Sequence, residues 1–156
     1  MTDKMQKSRV IVIGHGYTSR LGIIRSLAEI GCEIIVVVIV FHDAIGRFLR
    51  FDGGRPIDCC SKYVKKYYYC KSGSEKELIN LLTTKCIDKS RKSVIIPDSD
   101  YSAVVVDKYH KKLEHDFLFP HIQSGRGTVE YWMDKSRQKE LARSFNLAVA
   151  EGRVVH

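Results

Sequence analysis

No apolar run in this chain approaches the ~20 residues that a membrane-spanning helix needs. The longest, IIVVVIVF, covers only Ile34 to Phe41. The opening segment, MTDKMQKSR, is polar and has no h-region, so a secretory leader is not expected. The cysteines are odd in number (Cys32, Cys59, Cys60, Cys70 and Cys86), and none form a C-x-x-C pair. That argues against a disulfide framework and against a zinc site, and for reduced thiols in a cytoplasmic protein. The histidines show no H-x-x-x-H or H-x-H spacing near acids, and no metal site is expected. A G-x-S-x-G elbow is missing, and so is a G-x-x-x-x-G-K-[ST] phosphate loop. RNP, zinc-finger and helix-turn-helix patterns are lacking too, which argues against a nucleic-acid partner.

What is present is an ordinary globular composition with a basic balance. Lys and Arg number 26 against 18 Asp and Glu, a formal charge of +8. The excess suits an anionic partner without choosing one. RVIVIG (Arg9–Gly14) reads as a buried strand. Leu21, Ile24, Leu27 and Ala28 then make a helical stripe, and Gly31 stops it. EIIVVVIVF is a second buried strand, so the opening is a βαβ unit and its sheet is parallel. HDAIGRFLRFDGGRPIDCC holds at least one turn at Gly53-Gly54. SKYVKKYYYC predicts a helical turn feeding a third strand at Tyr67–Cys70. Ser74 and Glu77 have the spacing of a capping box for a helix ending at Cys86. SVIIP is a fourth strand. A helix capped by Asp98 or Ser99 carries Val105, Tyr109 and Leu113, although three consecutive valines weaken it. FLFP, Phe117–Pro120, is a fifth strand.

Strands alternating with helices predict an α/β fold: a Rossmann-like open parallel sheet in the order 3-2-1-4-5, with helices on both faces. The switch point then brings together GHGYTS (Gly14, His15, Gly16, Tyr17, Thr18, Ser19) and PDSD (Pro97, Asp98, Ser99, Asp100). The glycines allow backbone N–H groups to approach an anion. A dinucleotide site, a bare turn and an anion or carboxylate pocket all stay open. Ser19 stands where the dinucleotide fingerprint has its third glycine, and the nearest acid past the second strand is Asp43. Asp98, Ser99 and Asp100 serve equally as a helix cap or as substrate contacts. Lys62, Lys65, Lys66 and Lys71 alternate with tyrosines, which is strand material as well as a basic surface. The body ends near Ile122, and residues 123–156 form a linker and a separate piece. There Asp134 caps a helix carrying Leu141 and Phe145 on one face, Asn146 fits its exit, and LAVAEGRVV reads as a strand. Lys135 lies in the first turn, where the helix dipole disfavours a cation; it reads equally as a phosphate contact or as a solvated lysine.

MDKSRQKELARSFNLAVAEGRVV resembles the entry segment of the ATP-grasp fold: an Asp-Lys pair, a helix and an N-x-A-V-A step. The glycine loop, SKYVKKYYY, VIIPDSD and FLFP resemble successive landmarks of the pre-ATP-grasp domain in carboxylate–amine ligases of the D-aspartate-ligase-like kind. The resemblance spans nearly the whole chain. It departs at Ala148 and Ala150, where the family's proline pattern is absent, and at Phe41–Cys60, which has no counterpart. The resemblance implies an N-terminal substrate-side portion (1–122) and the start of an ATP-grasp domain (123–156). The parent enzyme would use ATP and Mg²⁺ to activate a carboxylate as an acyl phosphate for attack by an amine. Gly14, Gly16, Tyr17, Thr18, Ser19, Asp98, Ser99 and Asp100 would line the substrate pocket, and Lys135 would reach ATP phosphates. No catalytic residue, no metal ligand and no bound cofactor are expected in this portion, which would be inactive by itself. A stand-alone module binding a nucleotide or acidic metabolite is the alternative.

Overall fold

The computed structural model describes residues 7–15, 18–40, 56–71, 73–121 and 128–150. Five parallel strands form one open sheet in the order β3-β2-β1-β4-β5. They are β1 (Arg9–Gly14), β2 (Glu33–Val40), β3 (Val64–Lys71), β4 (Ser93–Pro97) and β5 (Phe117–Leu118). Alternating residues of β1 and β2 enter different cores. Val10, Val12, Ile34, Val36 and Val38 pack with Ile24 and Leu27 of α1 (Thr18–Glu29). Ile11, Ile13, Ile35, Val37 and Ile39 pack with Leu78, Val105 and Leu113 on the opposite face. Both faces are therefore covered, which explains the unbroken apolar runs. Gly31, at φ 81°, turns the chain from α1 into β2.

The opposite face carries α2 (Glu75–Leu81), which continues as a π turn over Leu82–Cys86, then α3 (Asp100–Lys108) and α4 (His110–Leu113). The expected capping box at Ser74 is not formed. Ser74 has φ −97° and ψ 74°, away from the extended cap conformation, and its side chain makes no cap hydrogen bond. Ser99 caps α3 instead, with Ser102 completing a reciprocal box. The single helix expected after β4 is interrupted at Tyr109, whose φ −101° and ψ 19° are not helical. β3 begins at Val64 rather than Tyr67, because β2 offers backbone partners from Ile34 through Val40. The helical turn expected at the start of SKYVKKYYYC does not form: Ser61–Tyr63 make a non-helical turn, and a 3₁₀ turn lies just ahead of them at Ile57–Cys60. The glycine pair at 53–54 and Asp43 lie outside the described residues.

The chain divides into two compact units, Met1–Pro120 and His121–His156. In the second, α5 (Val129–Met133) is capped by Thr128, whose Oγ1 accepts from the Tyr131 amide at 3.1 Å. α6 (Lys135–Ser144) is capped by Asp134, whose Oδ1 accepts from the Ser136 amide at 2.7 Å. Asn146, at φ 56°, ends α6 in the left-handed conformation. The Leu147 and Asn146 amides donate to the Ala142 and Arg143 carbonyls, a Schellman ending. The Arg137 guanidinium lies 3.9 Å from the centre of the Tyr131 ring and ties α5 to α6. Leu147–Ala150 is not a strand, and residues 151–156 lie outside the described set. Among the described residues, no helix is long and apolar enough to cross a membrane.

Candidate functional site at the β1–β4 switch point

β1 and β4 are neighbours, and each ends in a loop at the carboxyl edge of the sheet. Ile13 pairs with Pro97, and the Asp98 amide extends the ladder by donating to the Ile13 carbonyl at 2.7 Å. Asp98 thus arrives beside Gly14. A Cβ on Gly14 would lie 1.4 Å from Asp98 Oδ1 and 2.5 Å from its Cγ. The missing side chain is what lets the carboxylate sit across the end of β1.

The other carboxylate oxygen meets Arg20. This residue stands one helical turn before Ile24 on the buried face of α1 and is fully buried. Its Nε donates to Asp98 Oδ2 at 2.5 Å, and its Nη1 lies 3.1 Å from Asp58 Oδ2. Both carboxylates are buried, with side chains 4% and 5% exposed. The Asp58 contact is an ion pair outside hydrogen-bond geometry, because Nη1, Nη2 and Asp58 Oδ2 all lack a hydrogen-bond partner. A guanidinium has five N–H donors, and only the Nε donor is spent here. Buried donors normally find acceptors, so the remaining fork calls for an oxygen ligand or water. Among the described residues the cluster sets two carboxylates against one guanidinium and is short by one positive charge.

His15, the next residue after β1, does not supply that charge at neutral pH. Burial lowers its pKa below the ordinary histidine value; Asp98 opposes the shift and Arg20 reinforces it. Its ring stands 6.1 Å from that of Tyr101 at the start of α3. Ser99 is held in the cap: its amide donates to Ser102 Oγ at 3.2 Å, and its own Oγ accepts from the Ser102 amide. Ser102 Oγ in turn donates to the Ile13 carbonyl at 3.0 Å, which fixes α3 to β1. Ser19 and Asp100 are exposed.

The structure thus brings Gly14, Asp98 and Ser99 together. Gly16 and Tyr17, and the side chain of Thr18, lie outside the described residues. Lys135 is exposed at the first position of α6, in the other unit. Arg20, Asp58 and Ser102 carry no motif that sequence reasoning singles out. Arg20 does leave a trace, as a charged residue one turn ahead of Ile24 in an apolar stripe, whereas Asp58 leaves none.

Fold and site define an α/β domain with a buried polar cluster at the topological switch point of its sheet. Compared with known proteins, the chain matches no family model and no curated protein.

Proposed function

We propose that this chain is the substrate-side portion of an ATP-dependent carboxylate–amine ligase, and that the β1–β4 crevice takes a zwitterionic small molecule of the amino-acid type. The carrying observation is the Arg20 cluster. It has unspent guanidinium donors and one carboxylate in excess. A carboxylate or carbonyl oxygen answers the first need, and an ammonium group answers the second. A simple carboxylate would leave the cluster more negative still, and a simple amine would leave the donors unmet. The resemblance to the ligase family supplies the reaction class, in which ATP activates a carboxylate for attack by an amine.

The nucleotide side rests on Lys135. It is exposed at the start of a ten-residue helix, where a phosphate would relieve its conflict with the helix dipole. Among the described residues no three His, Cys, Asp or Glu side chains converge as metal ligands, and none of them is assigned to magnesium. The test is ADP release by the protein expressed from its whole reading frame, with amino acids offered in pairs as carboxylate and amine. Release that needs both partners supports the reading. Background release with every pair counts against it.

A further inference from the structure

β3 is an outer strand of the sheet, and the chain enters it from the 3₁₀ turn Ile57–Cys60. A solvent-open cavity of about 500 Å³ lies along this entry, walled in part by Ser61, Lys62, Lys65, Lys66, Tyr67 and Tyr68. That volume falls in the range of small-molecule sites. Among the described residues the wall contains three lysines and no carboxylate. Lys65 reaches out to Glu33, which also accepts from Arg9. Lys62 lies 5.2 Å from the centre of the Tyr63 ring. Neither Lys62 nor Lys66 forms an ion pair among the described residues. Like charges gathered around one cavity repel, and a compact ligand with two or more negative charges offsets that cost.

We propose that this cavity is a second ligand site, which takes a phosphate-bearing small molecule. Lysine ammonium groups are mobile point charges suited to phosphoryl oxygens. A phosphoryl group concentrates more charge than a carboxylate in the same space. The site is separate from the β1–β4 crevice. It lies where Val64 pairs with Ile34, at the amino ends of the parallel strands, whereas Gly14 and Asp98 lie at the carboxyl ends.

The test is calorimetric titration with inorganic pyrophosphate at physiological ionic strength, where long-range attraction to a basic surface is screened. A saturable one-to-one isotherm is expected. The double variant Lys62→Gln/Lys66→Gln should weaken it by roughly a hundredfold, at roughly tenfold for each charge-assisted hydrogen bond removed. Lys111→Gln/Lys112→Gln removes the same charge from exposed positions elsewhere and should leave the affinity unchanged. Cys60 also lines the cavity and is exposed. Its alkylation, followed by mass spectrometry, should slow when pyrophosphate is bound. Three results would each overturn the proposal: no saturable heat at millimolar pyrophosphate, equal losses in the two double variants, or unprotected Cys60 at saturation. A single-stranded oligonucleotide that displaced pyrophosphate with affinity rising with its length would overturn it as well, in favour of a nucleic-acid surface.

Discussion

Replacing Gly14 by alanine tests how the switch point is built. The new methyl would fall 1.4 Å from Asp98 Oδ1, so the carboxylate must leave. It cannot leave cheaply. Its Oδ2 is bonded to Arg20 at 2.5 Å, and its own amide is tied to Ile13 at 2.7 Å. Displacement strips a fully buried guanidinium of its one good hydrogen bond. Breaking a buried pair by removing one side costs about 3–5 kcal/mol, against a total stability of roughly 5–15 kcal/mol. The melting temperature should therefore fall by roughly 10–15 °C. Gly22 is the control, since a Cβ there meets nothing within 4 Å and the residue is interior to α1. Gly22→Ala should be neutral or stabilising by up to ~1 kcal/mol. The mechanism also demands strong coupling. In an Asp98→Ala background, Gly14→Ala should cost less than about 1 kcal/mol, because the 1.4 Å clash is gone and only Ser99 Oγ, 3.2 Å from the new methyl, must give by a few tenths of an ångström. Urea unfolding of the four members of this cycle gives the numbers. Additive losses, or a Gly14→Ala protein as stable as the parent, would refute the packing account.

Ser102→Ala should destabilise by about 1–3 kcal/mol, because the hydroxyl is buried and joins the α3 cap to the Ile13 carbonyl; urea unfolding measures it. Acid should weaken the fold in a defined window. Hydrogen bonds from the Ser90 hydroxyl and amide, with Arg9 and Arg91 nearby, hold Asp88 down at about 2 against an ordinary 3.8. Its contribution is thus fully present above pH 3.8 and lost as the pH falls towards 2, and Asp88→Asn should flatten this limb of a stability–pH curve. Cys70 and Cys86 are pushed up to about 12 by burial, so their thiolates are scarce at neutral pH. Iodoacetamide should label Cys60 first and these two last, as peptide mass spectrometry would show. Gly73, at φ 80°, turns the chain into α2, and Gly73→Ala should cost about 1 kcal/mol in the same unfolding assay, although a Cβ there meets no atom.

The sheet is legible in the sequence because β1 and β2 are buried on both faces, which leaves unbroken apolar runs, and because parallel connections have one favoured hand. The meeting of Gly14 with Asp98 follows from that topology alone. The role of Gly14 does not, since a glycine in a loop suggests backbone freedom, whereas the structure uses its missing side chain as room for a carboxylate. Arg20 and Asp58 are illegible for a related reason: a buried ion pair forms between residues far apart in sequence, and no spacing rule connects them. Local signals fare unevenly. The caps at Ser99 and Asp134 and the left-handed Asn146 agree with their residue types. At Ser74 the backbone turn out of β3 overrides the same kind of signal.

The central claim is that the switch-point crevice binds a zwitterion through the unspent donors of Arg20. Titration of ¹⁵N-labelled protein with an amino-acid panel, observing the guanidinium and the Gly14, His15 and Asp98 amides, tests it most directly. The account predicts saturable shifts at these groups with amino acids, and much weaker ones with the matching simple carboxylates or amines. Shifts that avoid these groups, or equal responses to all three ligand classes, would contradict it.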